Sequence, residues 1–355
     1  MKKKSDKADT KSKGTAKRHK TRSKNRRLAL FAAFILLILG SAFSYLSVWY
    51  VHHPKKWIDN KSQEYPVFVT SSLESVGYPL ADILDALDIT GTDVVYEYDL
   101  EPPSGQVFFA GAPVRTGAPA PEDITIIDRG EFVIGWSPSL RRPSWVAYHV
   151  PREEKYAAQK RPDFKKDREA PNCPASASYT RSGYDRGHMA PNHAIATRFG
   201  PDAQKATFLM SNISPQSPQL NRGIWRDIEH RIADLWTAKY GEIWVIVGAI
   251  TNEDKETISG TGIDGPGEFY QIVVAQQNMD VRAMAFLVPQ SVSWREYPAK
   301  WLVSIDEVEE KSGFDFLSEL DDFLERPLEA GLPSRVWPIM KLDVFKQLKI
   351  HFQDR

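Results

Sequence analysis

The sequence contains one cysteine, Cys173, in 355 residues. A lone thiol has no partner in its own chain, so an intramolecular disulfide is excluded and packing must stabilise the fold. A hydrophobic content of 42% is sufficient for this, because a chain of this length can bury a large core in one or two domains.

The first 27 residues contain almost no large apolar side chains. They hold 13 Lys or Arg residues and only two acids, Asp6 and Asp9. A highly charged segment with so little apolar surface cannot form a packed core. We therefore predict that residues 1–27 are a disordered basic tail.

Residues 28–51 contain no charged side chain. The run is mostly apolar and about as long as a helix needs to span a lipid bilayer, so we predict one transmembrane helix here. The positive-inside rule then places the tail in the cytoplasm and the rest of the chain outside it, with a bacterial plasma membrane favoured. The small residues Gly40, Ser41 and Ala42 could form a signal-peptide cleavage site, so a secreted product remains an alternative. The apolar run is, however, longer than the core of a usual signal peptide.

Beyond the tail, the chain lacks the positive charge expected of a protein that grips nucleic acid over a long surface. Without the tail, 33 basic and 44 acidic residues remain, which gives a formal net charge of −11. An extended basic footprint is therefore excluded. Attraction to phosphate would have to be local. We therefore expect the protein to contact few phosphates and to recognise little of the base sequence.

Three further segments follow the apolar run. Residues 52–105 show no chemistry, and we interpret them as a linker or small docking segment, with a helix predicted at residues 72–87 and a strand at residues 94–98. A Pro-Pro-Ser-Gly run ends this segment. We assign residues 106–330 to one domain and residues 331–355 to a C-terminal extension.

Short strands separated by Gly and Pro dominate residues 106–330, and helical apolar spacing predicts helices over residues 221–238 and after Ser304. Because strands outnumber helices without strict βαβ alternation, we predict an α+β fold. The predicted strands cover residues 132–136, 145–150, 208–210, 243–247, 270–274 and 284–288.

Residues 185–229 bring a histidine, arginines, amides and a carboxylate into one short stretch. The chain reads Asp-Arg-Gly-His-Met-Ala-Pro from residue 185 and Ser-Asn-Ile-Ser-Pro-Gln from residue 211, followed by Asn221 and Glu229. Metal-assisted cleavage of a phosphodiester needs a base, a hard cation and fixed positive charge, and this stretch can supply groups for all three.

Each of these groups suits one part of that reaction. A neutral His188 can accept a proton near pH 7, and the guanidinium of Arg186 can pair with phosphate oxygens. The amide oxygen of Asn221 suits Mg²⁺, an ion that usually keeps most of its waters. In a continuous helix Glu229 would lie about 12 Å along the axis from Asn221, so it is expected to act through water.

Ordinary structural roles remain open for the same residues. Asp185 and Arg186 could form a local ion pair in a tight turn. Asn221 could cap a helix, and Glu229 could be solvated beside Arg226.

The order and spacing of the motifs resemble those of the DNA/RNA non-specific endonucleases, the ββα-metal nucleases that include mitochondrial endonuclease G. Asp-Arg-Gly-His is followed by Ser-Asn-Ile-Ser-Pro-Gln, by Leu-Asn-x-x-x-Trp, and by a Glu eight residues after that Asn. The resemblance covers about residues 106–330. It implies a central antiparallel sheet flanked by helices, with a ββα finger that carries His188 on its strand side and Asn221 on its helix.

The resemblance also implies catalytic roles. His188 is the general base, Asn221 is a direct ligand of Mg²⁺ or of Mn²⁺ in its place, and Glu229 holds a metal-bound water. Asn212 is expected to help position the site. Gln271 stands where relatives often carry a lysine, which weakens the expected attraction for phosphate.

Positive side chains near the motif are expected to bind the substrate. By the resemblance, Arg186 and Arg161 contact the phosphate, although Arg168 is a rival for the second position. Lys165 and Lys166 would add local attraction.

These roles imply an endonuclease that hydrolyses DNA, RNA or both without sequence specificity and leaves 5′-phosphate and 3′-hydroxyl ends. One alternative is a degenerate nuclease fold that serves as a nucleic-acid-binding or scaffold module on a membrane anchor. The intact His188 and Asn221 argue against it. A metal-dependent phosphatase acting on small esters would use the same groups, and a homodimer also remains open.

Overall fold

The computed structural model describes residues 105–333 except 158–159, 252–256, 259–260, 278–279 and 295, together with Tyr96, Glu97 and Trp337. The predicted tail, transmembrane helix and linker helix lie outside these residues. Within the described part, no helix is both long enough and apolar enough to cross a membrane. The anchor, its orientation and the signal-peptide alternative therefore stay predictions.

The described part combines twelve strands with seven α-helices. The strands are β1 (Tyr96–Glu97), β2 (Val114–Arg115), β3 (Thr125–Asp128), β4 (Phe132–Ser137), β5 (Arg142–Val150), β6 (Asp185–His188), β7 (Ile213–Gln216), β8 (Ile243–Thr251), β9 (Pro266–Gln277), β10 (Asp280–Pro289), β11 (Leu302–Val303) and β12 (Phe314–Asp315). The helices are α1 (Asn192–Phe199), α2 (Pro201–Thr207), α3 (Pro218–Arg222), α4 (Ile224–His230), α5 (Thr237–Tyr240), α6 (Ile305–Ser312) and α7 (Asp322–Ala330).

A central antiparallel sheet organises these elements. Its strands lie in the order β1, β10, β9, β8, β5, β4 and β3, and β11 also pairs with β10. Every neighbouring pair is antiparallel. The predicted α+β class with a central antiparallel sheet is confirmed, and β1 lies within the strand predicted at residues 94–98.

Both faces of the sheet are covered, which explains why β5 is buried along its whole length. Alternate residues of a strand point to opposite faces. On one face, Tyr270 and neighbouring side chains share an apolar core with α6, β12 and α7. On the other, Phe269 contacts Trp225 of α4 at a ring-centroid distance of 5.6 Å. This second face supports the elements that carry the motif residues.

A separate ββα unit contains those motif residues. Strand β6 pairs with β7, so that His188 lies opposite Ile213, and α3 follows directly. The hydroxyl of Ser217 accepts a hydrogen bond from the Leu220 amide and caps α3. Ser217 therefore has the capping role that was considered for Asn221, which lies inside the helix.

The prediction of one continuous helix over residues 221–238 is wrong, because the helix is interrupted at Gly223. Helix α3 ends at Arg222, and Gly223 has φ −98° and ψ −118°, outside the helical region. A Cβ at Gly223 would lie 2.3 Å from the carbonyl oxygen of Gln219, so the break requires glycine. Helix α4 then continues into a π-helical segment, Arg231–Trp236. The 12 Å estimate that assumed a continuous helix does not apply across this break.

Two other local predictions differ from the structure. The strand predicted at residues 208–210 is absent: Phe208 ends α2, and Met210–Asn212 form a 3₁₀ turn before β7. The apolar run Phe-Leu-Met suggested a strand because a buried turn and a buried strand share the same composition. Helices α1 and α2 were not predicted, whereas the helix after Ser304 is confirmed and is capped by the Ser304 hydroxyl.

Gly187 is a point of close packing in the β6–β7 strand pair, because a Cβ there would lie 2.1 Å from Oε1 of the buried Gln216. We expect Gly187→Ala to displace Gln216 and to lower the free energy of unfolding by about 1–3 kcal/mol. Thermal or denaturant unfolding measures this change. Gly117→Ala is the matched control, since a Cβ there has no atom within 4 Å. Equal destabilisation by both substitutions would contradict the close packing at Gly187.

Candidate active site

One cleft collects most of the predicted site residues. It has a volume of about 560 Å³ and lies where the ββα unit meets α1 and α4. Its lining residues are Arg161, Phe164, Asp185, Arg186, His188, Pro191, Asn192, His193, Asn221, Arg222, Arg226 and Glu229.

His188 ends strand β6 and reaches the cleft as a neutral base. Its side chain is 8% exposed and packs against the rings of Phe164 and Phe208, with centroid distances of 5.4 and 4.7 Å. Burial, followed by the charge of Arg161, lowers the pKa of His188 to about 3. Its Nε2 has no hydrogen-bond partner among the described residues. The imidazole is therefore unprotonated at neutral pH and able to accept a proton.

Asn212 is a positioning residue, because it is fully buried and does not line the cleft. Its Oδ1 accepts from the Ala190 amide at 2.8 Å, and its Nδ2 donates to the carbonyl oxygens of Ala190 and Thr207, each at 3.0 Å. These bonds fix the chain immediately after His188. This location is compatible with the positioning role expected of Asn212 from the sequence, which stays a prediction.

Asp185 joins strand β6 to helix α3. Its carboxylate accepts from Nδ2 of Asn221 at 2.9 Å and from Nε and Nη2 of Arg222 at 2.7 and 2.6 Å. Burial opposes ionisation, but these donors outweigh it and hold the pKa of Asp185 below its usual value. The ion pair considered between Asp185 and Arg186 is thus formed with Arg222 instead. Because the Asn221 amide nitrogen is held by Asp185, its amide oxygen is left for the cleft.

Glu229 lies on α4 and is partly buried at the cleft wall. Burial raises its pKa to about 8, against the opposing charge of Arg161. Its ionised form also contributes to a raised pKa of Tyr148, after the larger effect of burial. A buried carboxyl group with a raised pKa ionises more readily when a positive charge lies close to it. The charge of Arg161 is the one that lowers the pKa of Glu229.

Two arginines flank His188 in the cleft. Arg161 is exposed, and its guanidinium lies 5.4 Å from the centroid of the Phe208 ring. Arg186 donates from Nε and Nη2 to the Ser176 carbonyl oxygen at 3.1 and 2.6 Å. Arg161 lines the cleft and Arg168 does not. The structure therefore favours Arg161 over its rival for the predicted phosphate contact.

Three other predicted positions are not brought into the cleft. Lys165 and Lys166 are exposed outside it, and the Lys165 backbone bonds to Phe208 and Met210. Gln271 is fully buried in β9, where its Nε2 donates to the Tyr148 hydroxyl at 3.2 Å. The substrate roles of Lys165 and Lys166 stay predictions, and the cleft geometry does not support them.

Sequence reasoning missed Arg222 and Arg226 as cleft residues. They follow Asn221 by one and five positions, and neither spacing places two residues on the same face of a helix, so the sequence carried no signal for them. With Arg161 and Arg186 they give the cleft four arginines against two carboxylates. The cleft thus holds as many cations as the sequence suggested, but Arg222 and Arg226 line it in place of Lys165 and Lys166. His193 also lines the cleft, where its Nε2 lies 3.0 Å from Asp234.

Comparisons with known proteins identify similar sequences and folds. Residues 110–323 match the family profile described as DNA/RNA non-specific endonuclease. The chain is similar to "Nuclease EXOG, mitochondrial" of Xenopus laevis, with 30% identity over 209 residues that cover 53% of this chain and 57% of the relative. It is also similar to "Nuclease" of Nostoc sp., with 27% identity over 226 residues, 59% of this chain and 78% of the relative. The chain thus spans little more than half the length of the EXOG relatives.

The fold is similar to that of a solved structure described as the EndoG/EndoGI complex. The TM-score is 0.51, at 25% sequence identity, over 55% of this chain and 86% of that chain. This similarity agrees with the observed central sheet and ββα unit.

We expect the pKa values of the two cleft histidines to be shifted in opposite directions, that of His188 downward and that of His193 upward. Between pH 8 and 4.5, His188 should stay neutral, while His193 should become charged above its ordinary pKa because Asp234 bonds to its ring. Protonation of His188 favours the unfolded state, so this residue lowers stability as the pH falls below about 6.5. NMR of the imidazole protons in chelator-treated protein, assigned with His188→Gln and His193→Gln, measures both pKa values.

Asp234→Asn is the control for this experiment. It should lower the pKa of His193 and leave that of His188 unchanged. A His188 midpoint near 6.5 would contradict the buried, neutral imidazole described above.

Proposed function

Because this chain belongs to the DNA/RNA non-specific endonuclease family, we propose that it hydrolyses phosphodiester bonds of DNA, RNA or both without reading their sequence. The proposal rests on one observation above all: a neutral His188 and the amide of Asn221 line the same cleft. The first is a base and the second offers a hard oxygen ligand, and a phosphodiester hydrolase needs both side by side.

The chain's own groups account for binding and for proton transfer. Arg161 and Arg186 line the cleft and would hold the non-bridging oxygens of the scissile phosphate. We propose that the imidazole of His188, which is neutral and lines the cleft, accepts a proton from water. The water oxygen then attacks phosphorus, and the bond to the 3′ oxygen breaks. The expected products carry 5′-phosphate and 3′-hydroxyl ends.

The residues present fit a divalent cation. Asp185 holds Nδ2 of Asn221, so the amide oxygen is the atom available for a metal ion. Glu229 has a pKa of about 8, and a cation nearby would favour its ionised form. We propose that Asn221 holds the ion directly and Glu229 holds it through water, with Mg²⁺ as the ion and Mn²⁺ as a substitute. The bound ion would stabilise charge on the leaving oxygen.

We also propose that residues 28–51 anchor the enzyme in a membrane, with the nuclease domain on the extracytoplasmic side. The uncharged apolar run and the preceding basic tail support this topology.

Plasmid cleavage by the purified full chain tests the proposed activity. We expect nicking of supercoiled DNA or cleavage of RNA with Mg²⁺, none with chelator, and no hydrolysis of a nitrophenyl phosphate monoester. His188→Ala should reduce the rate at least about 100-fold, because the base is lost. His193→Ala is the matched control, since His193 lines the same cleft but bonds to Asp234.

Two outcomes would contradict the proposal. Equal rates for His188→Ala and the unchanged protein would exclude His188 as the base. DNA binding without cleavage under all metal conditions would favour the binding-module alternative.

A further inference from the structure

Five carboxylates converge on the side of the sheet opposite the cleft, where α6, β12 and α7 meet. They are Asp306, Glu309, Asp315, Glu325 and Glu329. Two triads can be drawn among them, Asp306–Glu309–Glu329 and Asp315–Glu325–Glu329, and within each triad the oxygen atoms lie within 4.8 Å of one another. Glu329 belongs to both.

Glu329 is the feature that distinguishes this cluster from ordinary surface acids. Its side chain is only 5% exposed, and its Oε1 is buried with no hydrogen-bond partner among the described residues. A buried carboxylate oxygen without a donor carries a large desolvation cost. The position of Glu329 therefore calls for a cation or a proton, which the neighbouring side chains do not provide.

The basic residues nearest in sequence are paired elsewhere. Lys311 of α6 lies 3.1 Å from Glu268, and Arg326 of α7 lies 2.7 Å from Asp322. Across the described ranges, no Lys or Arg forms an ion pair with any of the five carboxylates. Glu309 accepts one hydrogen bond, from the Phe316 amide at 2.8 Å. The cluster thus holds several negative charges and little compensation.

We propose that these carboxylates bind a calcium ion, with Glu329 as the shared ligand. Calcium takes six to eight oxygen ligands at about 2.4 Å, so two ligands on opposite sides of one ion lie about 4.8 Å apart. Within each triad the oxygen atoms lie no farther apart than this upper limit, so one ion can reach all three carboxylates of a triad. Mg²⁺ needs shorter distances and a nearly ideal octahedron with several waters, and it fits a crowded all-carboxylate cluster less well.

The electrostatics of the cluster agree with a bound cation. Burial, and then the charges of Glu309, Glu325, Asp315 and Asp306, raise the pKa of Glu329 to about 9. Burial and neighbouring acids likewise raise the pKa of Glu309 to about 7. Either a cation or shared protons must relieve this repulsion at neutral pH. The two accounts differ in whether added calcium changes stability.

The location gives the ion a structural role. Ile305 and Val308 of α6 and Leu328 of α7 pack in the same apolar core as Tyr270 of the sheet. None of the five carboxylates lines the cleft. The ion would fasten α6, β12 and α7 to one another and so hold this layer on the sheet, independently of the cation proposed beside His188.

Calcium-dependent unfolding of the full chain tests the site. Asn221→Ala serves as the background, so that ions beside His188 are not counted. In chelator-treated protein, Ca²⁺ at about a hundredfold excess over its Kd should raise the Tm by about 5 °C or more, and Mg²⁺ at the same concentration should raise it less. Glu329→Gln should remove at least about three quarters of the calcium effect.

Glu310→Gln is the matched control, because Glu310 is exposed on the same helix and lies outside both triads. It should keep the full calcium effect. Glu325→Gln is a second ligand variant in case Glu329→Gln fails to fold, and it should weaken calcium binding about tenfold or more. A Tm that does not respond to calcium, or an equal response in Glu310→Gln and both ligand variants, would overturn the proposal. A chelated protein that gains stability from pH 9 to 6 and ignores calcium would establish shared protons instead.

Discussion

The carboxylate of Asp185 is the contact on which the cleft depends. It binds Asn221 and Arg222 of α3 from the strand that ends at His188, so one side chain links the base to the proposed metal ligand. Three charge-assisted hydrogen bonds give this link both strength and direction. The same contact decides which atom of Asn221 faces the cleft, because its nitrogen is already used. Asn212 and Gly187 support this arrangement. Asn212 fixes the chain after His188, and Gly187 leaves room for Gln216 to pack against β6.

The two faces of the central sheet have separate tasks. One supports α4 and the cleft, where four arginines provide local positive charge although the chain beyond its tail carries a formal −11. The other packs against α6 and α7, whose carboxylates form the proposed calcium site. The cleft proposed to attract phosphate and the proposed calcium site therefore lie on opposite faces of the sheet. Favourable charge at the cleft does not require a basic surface elsewhere.

The sequence was sufficient for the fold class. It also singled out His188, Asn221 and Glu229, which lie within one stretch whose spacing resembles a family and which line one cleft in the structure. The sequence was insufficient where the local structure depends on a contact between residues far apart in the chain or on an unusual backbone conformation. The break at Gly223 depends on the Gln219 carbonyl, and the apolar stripe continues on both sides of it. The spacing of residues could not decide whether Asp185 pairs with Arg186 or with Arg222. Glu329 became informative only when α7 was seen to bury it beside α6.

A double-mutant cycle between Asp185 and Asn221 tests the central claim most directly. The quantity to measure is the Mg²⁺ concentration that gives half-maximal plasmid cleavage by the full chain, for Asp185→Ala, Asn221→Ala and the double variant. If Asp185 acts by orienting the Asn221 amide, each single change should raise this concentration, and the second change should add little to the first. The coupling free energy should then reach about 0.5–3 kcal/mol. Strictly additive effects would contradict the account, because they would mean that the two side chains act independently.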